Sequence, residues 1–256
     1  MNILCIETST SCCSAAICKD GVVVANRENL LGANHASELP VFIVQLPQVA
    51  REEGWLLDAV ALSQGPGSYT GLRIGTSIAK GLCYGMNIPL IPVDTLQILC
   101  ASIPSHLLPS SSYSLCPMLD ARRMEVYTAM YHPNTLQQTT DIVAKVIDEQ
   151  SFAEELSEQT IYFFGNGAEK CQSIITSPNA HFIANIHPQA QYMGKLAEKA
   201  ISLDVKQMAY YEPFYLKDFV PAPSHIKGLK KLDMIILSAF FLETTPLPPA
   251  YHSVTI

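Results

Sequence analysis

Asn2-Ile3-Leu4-Cys5-Ile6-Glu7-Thr8-Ser9-Thr10-Ser11-Cys12-Cys13-Ser14-Ala15-Ala16-Ile17-Cys18-Lys19-Asp20-Gly21-Val22-Val23-Val24-Ala25 is the stretch whose reading decides the architecture. Two β-prone apolar runs, 2–7 and 12–18, flank the polar turn Thr8-Ser9-Thr10-Ser11. Lys19-Asp20-Gly21 carries the Asp-Gly signal of a tight hairpin, and 22–25 resumes the sheet. The chain therefore opens on a meander of three strands.

Working outward, a helix is expected over 35–53, capped by Asn34 and kinked or split by Pro40 and Pro47. The short, mainly apolar stretch 58–63 reads as a buried parallel strand. A turn at 65–69, a helix over 70–85, a strand at 89–93 and a helix from Thr95 follow, giving the order β-β-β-α-β-α-β-α. The second half repeats the theme more loosely. Strands are expected at 115–119, 125–131 and 140–147, then a short helix near 152–157 and a strand at 161–164. Gly165-Asn166-Gly167 should open a helix to about Ile175, with a strand at 182–184 and a helix over 191–203. This repetition predicts two related α/β lobes, 1–103 and 104–225, divided near the Ser- and Pro-rich 102–114. An atypical tail, 226–256, has a basic start (227–231), an apolar run (234–242) and a Pro-rich end (245–249).

Composition narrows the function classes. Hydrophobic residues are 48% of 256 and charged residues 15%, enough for a packed core and unlike a disordered chain. The 16 Lys and Arg against 23 Asp and Glu leave a net charge of −7, so the chain lacks the basic stripe of a protein that grips nucleic acid alone. Any RNA role would work through a partner. No apolar run reaches the roughly 18 residues of a membrane span. Residues 1–7 have no basic start and Glu7 interrupts their apolar run, which is unlike a secretory signal. A cytoplasmic protein that makes no membrane contact is expected. The eight cysteines sit mostly in apolar runs without C-x-x-C spacing, as reduced core thiols rather than zinc or redox centres.

The strongest local signal is Gly65-Pro66-Gly67-Ser68-Tyr69 between a strand and a helix. Glycines let backbone approach something closely, and a helix N-terminus suits an anion. The segment has no Gly-Lys-Ser/Thr of a Walker A loop. Its G-x-G-x-x-x-G spacing is one residue too long for the dinucleotide fingerprint, and it is no nucleophile elbow. It reads as a phosphate site or as a tight structural turn. In the helix that follows, Gly71, Gly75 and Ala79 recur every four residues, as do Ser77, Gly81 and Gly85. Each interior glycine costs about 0.5–1 kcal/mol against alanine. Either close packing inside the domain or the approach of another subunit's helix should offset that cost.

Three places test for an ATPase of the actin, Hsp70 and sugar-kinase type, whose two lobes share this strand order. The first hairpin has a carboxylate and two hydroxyls, Glu7-Thr8-Ser9, suited to Mg²⁺ and phosphate or simply to ending a strand. The equivalent second hairpin, Asp120-Ala121-Arg122-Arg123, lacks the glycine that would let backbone touch a phosphate. Gly165 and Gly167 fit an adenine-side glycine pair or a plain strand-to-helix turn. The expected scaffold is ATPase-like with weakened or lost catalysis, needing no cofactor and binding ATP or ADP weakly if at all. Arg122 and Arg123, the only adjacent arginines, would form a salt bridge within the lobe or contact RNA. His35 and Glu38 do not make a helical zinc site, because Leu39 stands where the second His belongs. No catalytic residue and no metal site are expected.

Four segments together, 3–9, 65–75, 120–127 and 212–216, resemble the TsaB family, also called YeaZ. The likeness covers about residues 1–220, and the glycine segment with Asp120-Ala121-Arg122-Arg123-Met124-Glu125-Val126-Tyr127 is its specific part. The resemblance implies an actin-like fold of two RNase H-like lobes of β-β-β-α-β-α type. It also implies a non-catalytic role in N6-threonylcarbamoylation of adenosine 37 in tRNAs reading codons that begin with A. The implied partners are a TsaD-like transferase and a TsaE-like ATPase, with a homodimer forming when TsaD is absent. TsaD carries a metal-binding H-x-x-x-H on its first long helix, where this chain has only His35. The expected partner interface is His35, Glu38, Gly71, Gly75, Ile78, Ala79 and Leu82. The rival readings are an active ATPase or small-molecule kinase, and the glycoprotease of older family labels, for which no nucleophile or metal is evident.

Overall fold

The computed structural model describes residues 1–32, 34–109 and 112–217. The tail expected at 226–256 lies outside the described residues. β1 (Asn2–Glu7), β2 (Cys13–Lys19) and β3 (Val22–Asn29) form the antiparallel meander. Asp20 (φ 49°) and Gly21 (φ 72°) take the left-handed backbone that an Asp-Gly hairpin requires. α1 (His35–Glu52) crosses to β4 (Ala59–Ser63), α2 (Tyr69–Met86) crosses to β5 (Leu90–Val93), and α3 (Thr95–Ala101) leaves the sheet. β4 pairs in parallel with β1, and β5 with β4, so the strand order is β3-β2-β1-β4-β5.

Alternation along the central strands builds two cores. Leu4, Ile6, Val60 and Leu62 face Leu39, Ile43, Leu46, Ala79 and Cys83 of α1 and α2. Ile3, Cys5, Ala59 and Ala61 face the other way. Each large aliphatic side chain fully buried here contributes roughly 1.5–3 kcal/mol. Pro40 and Pro47 do not split α1, which is one helix of 18 residues. Leu39, Ile43 and Leu46, spaced i, i+4 and i+7, hold it on the sheet through both prolines.

The second sheet repeats this plan. β6 (Ser114–Asp120), β7 (Glu125–Thr128) and β8 (Val143–Val146) form a meander, α4 (Ala153–Glu158) leads to β9 (Ile161–Phe164), and β10 (Ala180–Ile183) follows. β9 runs parallel to β6 and β10 parallel to β9, giving the order β10-β9-β6-β7-β8. Two sheets with the same topology make this an actin-like two-lobed α/β fold, as the strand order predicts.

The crossovers of the second lobe are reduced. The helix expected from Gly165 to Ile175 is a single 3-10 turn, Glu169–Cys171. The one expected over 191–203 shrinks to a 3-10 turn, Ala190–Tyr192, and α5 (Gly194–Ala197). Ala190, Met193 and Ala197 lie directly on the far face of the first sheet. A Cβ on Gly194 would stand 2.8 Å from the Cβ of Cys18, so this turn packs close against β2.

That packing carries part of the segment expected in the second lobe back onto the first. Leu203 and Leu90 exchange backbone hydrogen bonds of 2.7 and 3.0 Å, and α6 (Val205–Ala209) places Met208 in the first core. The second lobe, expected over 104–225, keeps its own core only as far as Ile186. Residues 190–211 return to the first lobe. The lobes are tied where Asp94, the N-cap of α3, accepts the hydroxyl of Tyr131. Gln97 Nε2 also donates to the Leu136 carbonyl at 2.8 Å.

Candidate functional site

The glycine segment before α2 is clamped from three sides. Gly65 N–H donates to Thr95 Oγ1 and Thr95 N–H to the Gly65 carbonyl, both at 3.1 Å. Ser68 N–H donates to the Ser9 carbonyl at 2.6 Å, and Phe214 N–H to the Gln64 carbonyl at 2.7 Å. A Cβ on Gly65 would overlap the Phe214 carbonyl oxygen, one on Gly67 the Ser9 carbonyl oxygen, and one on Gly71 the Thr8 carbonyl oxygen. The glycines serve approach to the chain's own backbone, and the structural-turn reading prevails over a phosphate loop.

Glu7, Thr8 and Ser9 lie beneath this clamp and are all buried, Glu7 with 0% exposure. Ser9 N–H donates to Glu7 Oε1 at 2.5 Å, while Oε2 has no hydrogen-bond partner of good geometry. Burial pushes the Glu7 carboxyl up from 4.5 to about 6, with the neighbouring Ser9 and Ser63 groups pulling it part of the way back. In the second lobe, a Cβ on Gly165 would stand 2.7 Å from Leu99 Cδ2, and one on Gly167 2.8 Å from the Leu119 carbonyl carbon. This glycine pair is spent on packing against β6 and α3. Arg122 (φ 69°) and Arg123 (φ 50°) occupy the hairpin where the ATPase pattern needs glycine. Of the five residues expected at a nucleotide, three are buried polar residues and two are glycines packed against the protein. The carboxylate and hydroxyls are sealed under backbone, and the glycines face the protein interior.

The two small-residue rows of α2 separate cleanly. Gly71, Gly75 and Ala79 are buried against the first sheet. A Cβ on Gly75 would overlap Thr8 Oγ1 and stand 3.1 Å from Leu62 Cδ1. These three were expected at a partner interface and are removed from it. A Cβ on Gly81 or Gly85 would meet nothing within 4 Å, and Ser77 is exposed beside them. Ile78 and Leu82 are half-buried between this open row and the core. Val41, Val44 and Tyr84 are exposed at 50%, 66% and 75%, and these apolar residues of α1 and α2 escaped the sequence reading. The i, i+3 spacing of Val41 and Val44 was the available signal.

His35 and Glu38 have structural contacts of their own. His35 Nε2 lies 3.0 Å from the Cys12 carbonyl oxygen, and Asn29 Nδ2 donates to both Glu38 oxygens at 3.0 and 3.1 Å. Glu38, Val41 and Phe42 border an open groove of about 550 Å³ that continues to Leu31. Among the described residues no three His, Cys, Asp or Glu side chains gather to hold a metal, and no helix is long and apolar enough to cross a membrane.

This arrangement defines a class: an actin-like two-lobed domain with an exposed face on its first two helices. A family model described as TsaD: tRNA N6-adenosine threonylcarbamoyltransferase matches residues 29–221, and the chain belongs to that family. Within it, the resemblance to TsaB, or YeaZ, holds. The tRNA threonylcarbamoyladenosine biosynthesis protein TsaB of Escherichia coli (strain K12) is 34% identical over 131 residues, 51% of this chain and 55% of that protein. The TsaB of Bacillus subtilis (strain 168) is 30% identical over 59% of this chain, which spans 62% of that relative's length. The TsaB of Haemophilus influenzae is 26% identical over 241 residues, 86% of this chain and 95% of that one. The crystal structure of YeaZ from Pseudomonas aeruginosa shares the fold, with a TM-score of 0.67, 22% identity, and 84% of this chain and 99% of that one covered.

Proposed function

We propose that this chain is the non-catalytic partner subunit of a cytoplasmic tRNA threonylcarbamoyltransferase, docking on a TsaD-like catalytic subunit through the outer face of α1 and α2. The observation that carries the reading is Gly81. It sits inside an exposed stretch of helix with open space at its Cβ, so nothing in its own lobe offsets its roughly 0.5–1 kcal/mol helix cost. A partner backbone approaching over Gly81 and Gly85, flanked by Val41, Val44 and Tyr84, supplies the missing reason. The same face pairs with a second copy when the catalytic subunit is absent, and a TsaE-like ATPase completes the assembly. The chain needs no nucleotide of its own, because Glu7, Thr8 and Ser9 are closed off from solvent.

Gly81→Leu tests this. The variant should melt at or above the wild-type temperature, since leucine favours the helix, yet lose at least tenfold in affinity for the TsaD-like subunit by calorimetry. Unchanged affinity would remove this face from the interface.

A further inference from the structure

Arg122 and Arg123 are not explained by the fold. Both take left-handed backbone at the tip of the β6–β7 hairpin, where glycine or asparagine is the low-cost choice. The tip is nonetheless firmly held. Ala121 N–H donates to the Glu125 carbonyl at 3.1 Å and Glu125 N–H to the Arg122 carbonyl at 3.2 Å. Asp120 accepts Arg122 N–H at 3.1 Å. The half-buried Lys170 pairs with Asp120 and donates to the carbonyls of Arg123 and Glu125 at 2.8 and 2.7 Å. Backbone strain preserved by so many contacts marks a segment kept for a purpose. Both arginines are exposed, and among the described residues neither guanidinium has a carboxylate partner. The ordinary use of such a pair, a salt bridge within the lobe, is not made.

The near neighbours of the tip include Tyr127, and a separate aromatic cluster gathers around Tyr69. Tyr127 lies within electrostatic reach of Arg122 and Lys217. Tyr215, two residues before Lys217, packs on Tyr69 with ring centroids 4.9 Å apart. Arg73 donates to the Tyr69 hydroxyl at 2.7 Å and lies 5.1 Å from its ring centre. The acids near these groups are Asp120, Glu125 and Glu212, and the first two are paired with Lys170 and Lys217. On a chain of net charge −7, this leaves two arginines free for an external anion.

We propose that the Arg122–Arg123 tip is an RNA-contact element, its guanidiniums taking backbone phosphates. The inference rests on the tRNA-modifying role proposed above and adds to it a direct contact with the RNA. Two arginines on an acidic chain give weak binding alone. They act once the catalytic subunit has supplied most of the phosphate contacts.

The test is a fluorescence-anisotropy titration of an unmodified tRNA transcript, reading a codon that begins with A, with the full chain and its TsaD-like partner. Arg122→Gly with Arg123→Gly relieves the left-handed backbone, so this variant should melt no lower than wild type and bind the partner equally well. Its RNA affinity should fall about tenfold, and the slope of log K against log salt should shrink by about 2. Arg122→Lys with Arg123→Lys should retain the slope. Wild-type affinity and slope in the glycine variant overturn the proposal. So does a variant that binds RNA normally but no longer recruits the ATPase subunit, which would make the tip a protein contact. If the glycine variant melts lower, Arg122→Gln with Arg123→Gln is judged by the same criterion. If the wild-type chain does not bind the TsaD-like subunit, the proposed function fails. The tip is then read separately by titrating the chain alone at low salt, where wild type should bind the transcript more tightly than the variant and equal binding overturns the contact.

Discussion

Replacing Glu7 by glutamine should stabilise the chain, and more so as pH rises. The Glu7 carboxyl is wholly buried and sits at about 6 in the fold against 4.5 when free. A carboxyl raised by folding contributes stability that is fully present below its unfolded value and is lost as pH climbs through its folded value. The rise of roughly 1.5 units corresponds to about 2 kcal/mol, of which about 1.2 kcal/mol falls between pH 5 and pH 8. Glutamine keeps an acceptor for Ser9 N–H and does not titrate. Any constant cost of seating its amide shifts the whole curve and leaves the pH-dependent part intact. At about 2–4 °C per kcal/mol for a domain of this size, the melting-temperature gap between variant and wild type should widen by about 2–5 °C from pH 5 to pH 8. Scanning calorimetry on both proteins across that range is the assay. A gap that stays constant, or narrows with pH, would show that Glu7 is solvated or charge-compensated and would refute the sealed-turn argument.

Two further outcomes follow from burial. Gly71→Ala should cost about 1–3 kcal/mol in urea unfolding, because its Cβ overlaps the Thr8 carbonyl oxygen, whereas Gly81→Ala on the same helix should gain about 0.5–1 kcal/mol. All eight cysteines are buried and unpaired, with Cys13 and Cys116 pushed to about 12 and Cys83 to about 11 by burial. An aromatic disulfide reagent should therefore release almost no colour from the native chain at pH 8 and eight equivalents after denaturation, and prompt native reaction would disprove the core assignment.

The architecture of the first lobe was legible because its signals are local. Asp20-Gly21 punctuates a hairpin, and 59–62 is apolar throughout because β4 is buried on both faces. The second lobe blurred where local pattern and tertiary packing disagree. Residues 191–203 have helical composition, but only 194–197 form an α-helix where the segment packs on the first sheet. The glycines of α2 show the same limit at the site. Spacing identified two rows of small residues, yet only the position of the Thr8 carbonyl decides which row is occupied from within. The Tyr69–Tyr215 pair and the nearness of Tyr127 to Lys217 were not legible because each joins distant parts of the chain.

The bond from the Tyr131 hydroxyl to Asp94 joins a strand-end residue of one sheet to the cap of a helix leaving the other. Here the seam is pinned by a half-buried acid and a buried phenol, with Gln97 fastened to Leu136 alongside. Swinging one sheet away from the other must first break both bonds, so this pair sets a threshold on any opening of the two lobes.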